Sequence, residues 1–147
     1  MEDYFKYRFG DDISFNLNSG DFISIIGNTN DLFVFTLLYG HKECNLFVGD
    51  KEFNQENKDE IRSRMCVVLY KHLNIFSGET VRDEIAFGLE SLAMKKDDMT
   101  NLIESESRLF KVTSILDRDP NSLGLSDKVK IKILSALIIK PKVIVID

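Results

Sequence analysis

The first part of the chain places apolar and polar side chains in the alternating order of β-strands. Residues 13–17 alternate in this way, and residues 21–26 follow as a second short strand. After the polar loop 27–31, apolar residues become dense over residues 32–39, and Gly40 is positioned to end a buried helix. Strand, polar loop and helix in this order are typical of a phosphate-binding unit.

Continuous apolar segments later in the chain predict a parallel sheet. Residues 46–48 read as a short strand, residues 57–64 as a short polar helix, and residues 66–70 as a strand buried on both faces. Residues 143–146 form a second buried strand, which ends in Asp147. We therefore expect an α/β fold in which the last strand delivers a carboxylate at its carboxyl end.

The middle of the chain is predicted to be helical. Thr80 and Asp83 have the spacing of a capping box that opens a helix towards Met94, and a second helical segment covers residues 99–116. Residues 128–133 alternate between polar and apolar side chains as a strand would. Apolar residues in and after this segment also recur at the spacing of one helix face, as an apolar stripe. We favour a helix, with Ser126 as its N-cap and Pro141 closing it. The stripe comprises Val129, Ile133, Leu134, Leu137 and Ile138.

Length and composition limit the classes of protein. A chain of 147 residues has room for one ordinary domain, and 44% hydrophobic with 29% charged residues is typical of a globular protein. The net charge of −5 disfavours nucleic acid and anionic membrane surfaces as partners. Residues 1–10 do not resemble a secretory signal, so we expect a cytoplasmic protein.

Membrane insertion and disulfide bonding are not expected. The longest near-apolar run, residues 32–39, is far shorter than the roughly 20 residues that cross a bilayer, so any membrane role must come through a partner. Cys44 and Cys66 are too few for a disulfide framework or a zinc site, and we expect reduced structural thiols.

A gapless motif gives the chain its most specific likeness. Residues 80–90 read TVRDEIAFGLE, which looks like T-V-x-x-D-[VI]-A-F-G-x-E without a gap. With this motif the chain resembles the nucleotide-binding subunit of an ATP-binding-cassette (ABC) transporter of the energy-coupling-factor (ECF) type, which powers micronutrient uptake in bacteria. Further positions that fit that family are Glu56, Asn57, Glu60, Ile61, Arg62, Arg118, Asp119, Pro120, Lys128 and Pro141.

The resemblance covers the whole chain, which corresponds to about the first half of such a subunit. It implies an α/β fold: an incomplete P-loop NTPase core of the ABC ATPase type, with N-terminal antiparallel β strands and a helical insert at about residues 80–135. Residues 1–147 would form one partial domain, truncated after the second nucleotide motif. In the family, the groove beside residues 70–90 receives a coupling helix from the membrane component.

The family's phosphate loop is poorly matched. That loop is G-x-x-G-x-G-K-[ST], whose backbone N–H groups surround the phosphates while Lys reaches the β/γ-phosphates and Ser/Thr holds magnesium. Gly27 alone is kept. Without a gap, the second Gly, the third Gly, the Lys and the Ser/Thr are replaced by Asn30, Leu32, Phe33 and Val34. With Gly40 aligned to a family glycine instead, two loop residues are missing and the Lys has no counterpart.

Asp31 opposes nucleotide binding further. A carboxylate about 4 Å from a phosphate oxygen costs about 4 kcal/mol at an effective dielectric near 20, whereas a helix dipole returns about 0.3–1 kcal/mol. We therefore expect weak affinity at the positions that the resemblance assigns to the phosphates, and a plain polar turn is the favoured alternative. Those positions are Gly27, Asn28, Thr29, Asn30 and Asp31.

Other nucleotide contacts of the family are also replaced. Tyr70 stands where a Gln senses the γ-phosphate and magnesium. The signature L-S-G-G-Q, which contacts the partner subunit's nucleotide, is matched by Leu123, Gly124, Leu125, Ser126 and Asp127. Of these Leu123 alone is kept in register, and we favour the N-cap role for Ser126. Tyr4 and Tyr7 are candidates for stacking on adenine; alternatively they alternate with Phe5 and Phe9 along an edge strand.

Asp147 matches the magnesium-associated Asp of the second nucleotide motif. The family's catalytic Glu and switch His come after this position, so no catalytic residue is expected within the chain, and whether the chain is an enzyme stays open. His41 and His72 do not substitute by position and are expected at the surface. The resemblance implies ATP and Mg²⁺ as cofactors, although their binding is expected to be weak.

Three functions follow. The first is an ATP-binding subunit of an ECF-type ABC transporter, or a fragment of one, at the inner face of the membrane with little or no ATP hydrolysis of its own. Its partners would be the transmembrane coupling component and a second ABC ATPase subunit, in a homo- or heterodimer. The alternatives are a nucleotide-independent module that docks on those partners, and a non-functional truncated remnant.

Overall fold

Alternating side chains near the N-terminus form an antiparallel sheet. The computed structural model describes residues 5–10, 13–26 and 44–147. The strands β1 (Phe5–Phe9), β2 (Ile13–Leu17), β3 (Cys44–Val48) and β4 (Lys51–Glu52) lie in the order β2-β1-β3-β4. Each neighbouring pair for which the register is defined is antiparallel. The predicted N-terminal antiparallel strands are therefore confirmed.

Strand β1 lies inside this sheet, so the expectation of an edge strand is wrong. Phe5 and Tyr7 are buried, and Tyr7 faces Phe15 of β2 on one side and Leu46 of β3 on the other. The alternation itself is confirmed, because it buries one face of the strand. Pairing with β3 joins residues about 40 positions apart in the sequence, and a local pattern carries no signal of that.

The strand predicted over residues 21–26 is not formed. Asp21 closes a turn instead, in which its carboxylate accepts a hydrogen bond from the backbone N–H of Asn18 at 2.9 Å. Phe22 and Ile26 are more than 90% exposed. Within the described ranges no strand pairs with this segment, and an apolar pattern without a pairing partner does not make a sheet strand. The predicted loop 27–31 and helix 32–39, together with Tyr4 and His41, lie outside the described residues.

The chain divides into two compact units, Met1–Met65 and Cys66–Asp147. The first unit ends with helix α1 (Lys58–Ser63), which confirms the predicted short polar helix. Glu60 on this helix pairs with Lys51 and with Arg64, each at 2.6 Å. Cys44 and Cys66 are not joined by a disulfide bond.

Strand β6 (Val143–Ile146) and, from Cys66 onwards, strand β5 (Met65–Val68) belong to the second unit and form a two-stranded sheet. The N–H of Asp147 donates to the carbonyl of Val68 at 2.9 Å. Because this bond joins the carboxyl ends of both strands, the strands run parallel, as predicted. Strand β5 ends two residues earlier than expected, and Tyr70 begins a short 3₁₀ turn, Tyr70–His72. Both strands are largely half-buried rather than fully buried.

The helices of this unit are α2 (Val81–Glu90), α3 (Lys96–Leu109) and α4 (Leu125–Ile138). The capping box at the start of α2 is confirmed, since Thr80 and Asp83 exchange side-chain to backbone hydrogen bonds. Two predicted helix ends are wrong. Helix α2 ends before Met94 and α3 before Leu116, because Ala93 and Lys111 take positive φ angles that leave the helical conformation.

Helix α4 confirms the choice of a helix over a strand in this segment. Its N-cap is Gly124, however, so the prediction of Ser126 as the cap is wrong. Ser126 lies exposed in the first turn. The buried side chains of the unit come mainly from these three helices: Val81, Ile85, Leu89, Ile103, Ile131, Leu134 and Ile138. In the described residues, no helix combines the length and apolar character that crossing a membrane requires.

Candidate functional site

The carboxyl edge of the β5–β6 sheet holds two of the predicted site residues. Asp147 directly follows β6 and is bonded through its N–H to Val68, the last residue of β5. Tyr70 comes two residues after Val68, and its side chain is 66% exposed. Ligands of open α/β sheets bind at this edge, so the topology brings these two candidates to one place.

The carboxyl edge of this sheet offers one carboxylate, that of Asp147, for the magnesium ion that the resemblance implies. Within the described ranges, no group of three or more His, Cys, Asp or Glu residues is arranged to hold a metal ion. Asp147 alone stands at the expected metal position. Magnesium is usually held by one or two carboxylates together with the phosphates themselves, so a lone carboxylate depends on a phosphate cradle elsewhere. Tyr70 carries a phenol at the position where the resemblance expects a side-chain amide.

The segment that matches the signature motif lies at the start of α4. Leu123 is buried, Gly124 caps the helix, and the Gly124 carbonyl accepts hydrogen bonds from the N–H groups of Asp127 and Lys128, both at 3.1 Å. The Asp127 carboxylate pairs with Lys130 at 3.1 Å. A helix N-terminus favours an anion, and here the chain supplies its own carboxylate. This arrangement is poorly suited to a second anion such as a phosphate.

Tyr7, the candidate for adenine stacking, is committed to the N-terminal sheet. Its side chain is 3% exposed, and its ring is stacked on Phe15 with centroids 5.3 Å apart. This packing supports the alternative in which Tyr7 packs within a strand of the sheet rather than stacking on adenine. His72, in the 3₁₀ turn after β5, is exposed, which confirms the expectation of a surface position.

Charged groups that the sequence analysis did not single out hold residues 74–78, called here the anchored segment. Lys128 donates to the Asn74 side chain at 3.0 Å, and Lys132 donates to the Ile75 carbonyl. Glu84 of α2 accepts from the N–H groups of Ser77 at 2.8 Å and Gly78 at 3.0 Å. The backbone after Tyr70 is thus tied to both α2 and α4.

Glu84 and Lys132 also pair directly, with Nζ and Oε1 2.8 Å apart and side chains that are 10% and 19% exposed, respectively. Burial raises the pKa of the Glu84 carboxyl, but hydrogen bonds from Lys132 and from the Ser77 and Gly78 amides lower it by more. The net effect is a lowered pKa, so Glu84 is ionised at neutral pH. The pair is therefore a true ion pair in a mostly buried setting.

A sequence signal for this cluster existed. Lys128 and Lys132 are four residues apart, which places them on the same face of a helix, whereas Lys130 points elsewhere. Glu84 stands at the acidic position of the motif in residues 80–90. The signal was incomplete, because the sequence does not show that this helix face meets Glu84, which lies 48 positions away from Lys132.

Three exposed apolar side chains belong to the turn after β5, the anchored segment and helix α2. Tyr70, Ile75 and Phe87 are 66%, 59% and 64% exposed, respectively, and we call them the apolar surface. Ile75 belongs to the anchored segment, and Phe87 lies on α2 three residues after Glu84, one turn along the same helix face. Their exposure makes these three side chains candidates for contact with a partner protein.

Comparisons with known proteins give relatives for nearly the whole chain, although no family model matches. This chain is 27% identical to the energy-coupling factor transporter ATP-binding protein EcfA1 of Mycoplasmopsis synoviae, over 97% of this chain and 58% of that protein. The EcfA1 protein of Enterococcus faecalis is 28% identical, over 92% of this chain and 50% of that protein. The chain therefore spans about half the length of the curated relatives it matches.

The fold has a solved counterpart. CbiO1 of Clostridium perfringens, described as part of the ABC transporter complex CbiONQ, superposes with a TM-score of 0.80 at 18% sequence identity. The match covers 99% of this chain and 66% of that one. The predicted fold class, with an ABC ATPase-like α/β core and N-terminal antiparallel strands, is confirmed, and so is the resemblance to ECF-type subunits.

Proposed function

Because this chain is a homologue of the ATP-binding proteins of ECF transporters and has the fold of an ABC ATPase, we propose that it acts in an ECF-type transporter as a subunit, or as part of one. In this proposal it has weak or absent ATP binding and hydrolysis of its own. It works in the cytoplasm on the inner face of the membrane, to which its partners attach it.

One contrast carries the proposal. At the positions that resemble nucleotide contacts, the chain presents groups unsuited to phosphates: the loop 27–31 has no Lys, Tyr70 replaces an amide, and Asp127 occupies a helix N-terminus. At residues 80–90, by contrast, the motif is gapless, its helix is capped, and Phe87 is exposed. A chain with these features is better equipped to bind a protein partner than to turn over ATP.

The proposed partners are a transmembrane coupling component and a second ABC ATPase subunit. The apolar surface of Tyr70, Ile75 and Phe87 suits an apolar segment of the membrane component. The second subunit supplies the nucleotide site that this chain lacks. Cofactors of the assembly are ATP and Mg²⁺, and Asp147 is the residue of this chain that would face the metal.

Docking is tested by co-purification with the transmembrane component from the same organism. We expect Phe87→Asp to weaken capture at least about tenfold, because a charge replaces an exposed aromatic side chain in the contact. Leu109→Asp is the matched control, since Leu109 is also helical and is 74% exposed. Equal capture of the wild type and both variants would contradict docking at this surface.

A nucleotide-independent docking module is the second candidate. Asp127 favours it, because a carboxylate in the first turn of α4 disfavours a phosphate at that helix N-terminus. The two candidates differ in whether Mg-ATP binds the isolated chain at all. A truncated remnant without a stable fold is the third, and a soluble monomer with a sharp cooperative unfolding transition would exclude it.

A further inference from the structure

We propose that Glu84 and Lys132 form a clamp that fixes the anchored segment and thereby positions Ile75 for the transmembrane component. This inference rests on the docking role proposed above and assigns its control to two residues outside the apolar surface. Glu84 and Lys132 are positioning residues, because they act through the backbone of residues 75–78 rather than by touching a partner.

Every residue of the anchored segment is held by a charged side chain. The ammonium of Lys132 meets the Ile75 carbonyl and lies 4.3 Å from the centroid of the Phe76 ring. The Glu84 carboxylate accepts from the N–H groups of Ser77 and Gly78. Lys128 completes the series at Asn74. Five successive residues are thus tied to two helices by three side chains.

Gly78 brings this backbone close enough for the clamp to close. A Cβ atom at this position would overlap the backbone nitrogen of Glu84, so a larger residue would push the segment away from the start of α2. Glycine is required here for close approach rather than for an unusual φ angle. The position of the segment is therefore set by backbone contact as well as by charge.

The clamp fixes the backbone and leaves an apolar side chain in water. Ile75 is 59% exposed although its carbonyl is bonded to a mostly buried ammonium. A backbone that is already fixed loses little conformational freedom when a partner covers the segment, which favours binding. Loosening the clamp should therefore weaken docking without removing any atom of the apolar surface.

The donors and acceptors make the clamp directional. The group at position 84 accepts from three N–H donors, two of them backbone amides, whereas the group at position 132 donates to a carboxylate and a carbonyl. Exchanging the charges would set a cation against two amides and a carboxylate against a carbonyl oxygen. The double variant Glu84→Lys with Lys132→Glu should consequently fail to restore the clamp.

The first experiment measures amide hydrogen exchange of the whole chain by NMR. In Lys132→Met, the amides of Ser77 and Gly78 should exchange about tenfold faster, because their acceptor loses its fixed position. Lys132→Arg keeps the cation and should restore most of the protection. Lys130→Met is the matched control: Lys130 lies on the same helix but pairs with Asp127 and leaves the anchored segment untouched.

The second experiment repeats co-purification with the transmembrane component. We expect Lys132→Met to lose capture, Lys132→Arg to retain it, and the charge-exchanged double variant to stay defective. Unchanged exchange at Ser77 and Gly78 in Lys132→Met, or an equal change in Lys130→Met, would overturn the clamp. Faster exchange with normal capture would overturn its role in docking. Normal capture of Phe87→Asp would instead count against the proposed function, so the two failures are distinguishable.

Discussion

Glu84 shows how one partly buried carboxylate is kept ionised. Burial alone would favour its neutral form, but Lys132 and two backbone amides stabilise the charge. Each hydrogen bond to a charged group contributes about 1.5–3 kcal/mol, more than a neutral one. The pKa of Glu84 is therefore below its ordinary value of 4.5.

This lowered pKa predicts a pH dependence of stability. A carboxyl whose pKa is depressed on folding stabilises the protein above its unfolded value near 4.5, and that contribution is lost as the pH falls through the lower folded value. Glu84→Gln should lower the free energy of unfolding at pH 7 by about 2 kcal/mol, and the deficit should narrow below about pH 4.5. Urea titrations at several pH values measure both quantities.

Glu90→Gln is the control for this experiment, because Glu90 is an exposed residue of the same helix. It should change the unfolding free energy by no more than about 0.5 kcal/mol at either pH. Suppose that the free energy of unfolding of Glu84→Gln stays below that of the wild type by the same amount from pH 7 to pH 3.5. The charge of Glu84 would then not contribute to folding stability.

Between elements, the close approach of α2 and α4 depends on a residue without a side chain. A Cβ at Gly88 would lie 2.9 Å from Cγ2 of Ile139 and 3.8 Å from the Ser135 carbonyl. The shorter distance is below any normal carbon–carbon contact, and Cγ2 sits on the stiff branch of isoleucine. Gly88 therefore lets the two helices pack together.

Gly88→Ala tests this packing. Alanine improves helix propensity by about 1 kcal/mol, but overpacking costs about 1–3 kcal/mol, so we expect net destabilisation of up to about 2 kcal/mol. The double variant Gly88→Ala with Ile139→Ala relieves the clash. Its loss of unfolding free energy should therefore be smaller than the sum of the losses in the two single variants. Denaturant unfolding of the four proteins completes the cycle. Strict additivity would show that the two positions do not interact.

Secondary structure was predictable where the signal is local. The capping box of Thr80 and Asp83 set the start of α2, and the period of the apolar stripe chose a helix for α4. Helix ends were less predictable, because Ala93 and Lys111 adopt positive φ angles. Alanine and lysine do not favour such angles, so the sequence gives no signal of them. The failed strand at residues 21–26 shows the same limit, since pairing depends on a partner strand elsewhere in the chain.

The sequence predicted which positions belong to the candidate site, but it did not predict which side chains are in contact there. The resemblance located Tyr70 and Asp147, and the parallel pairing of β5 with β6 places them at one edge. The clamp of Glu84 and Lys132 was not predicted, because it joins residues 48 positions apart through the packing of α2 on α4. Long-range contacts of this kind become visible once the fold is known.

At the scale of the whole molecule, the segments that resemble structural parts of an ABC ATPase are kept, and the groups that would contact nucleotide are replaced. The relatives are about twice as long as this chain, and the superposition with CbiO1 covers 99% of this chain at a TM-score of 0.80. We propose that the chain is specialised for docking on its partners rather than for contact with nucleotide.

Isothermal titration with Mg-ATP tests that claim most directly, with the EcfA1 protein of Enterococcus faecalis titrated in parallel as a control. We expect no saturable binding to this chain with a dissociation constant below about 100 μM, which corresponds to a binding free energy of about 5 kcal/mol. The absence of a loop Lys and the carboxylates of Asp31 and Asp127 are the reasons. A dissociation constant below about 100 μM would contradict the account.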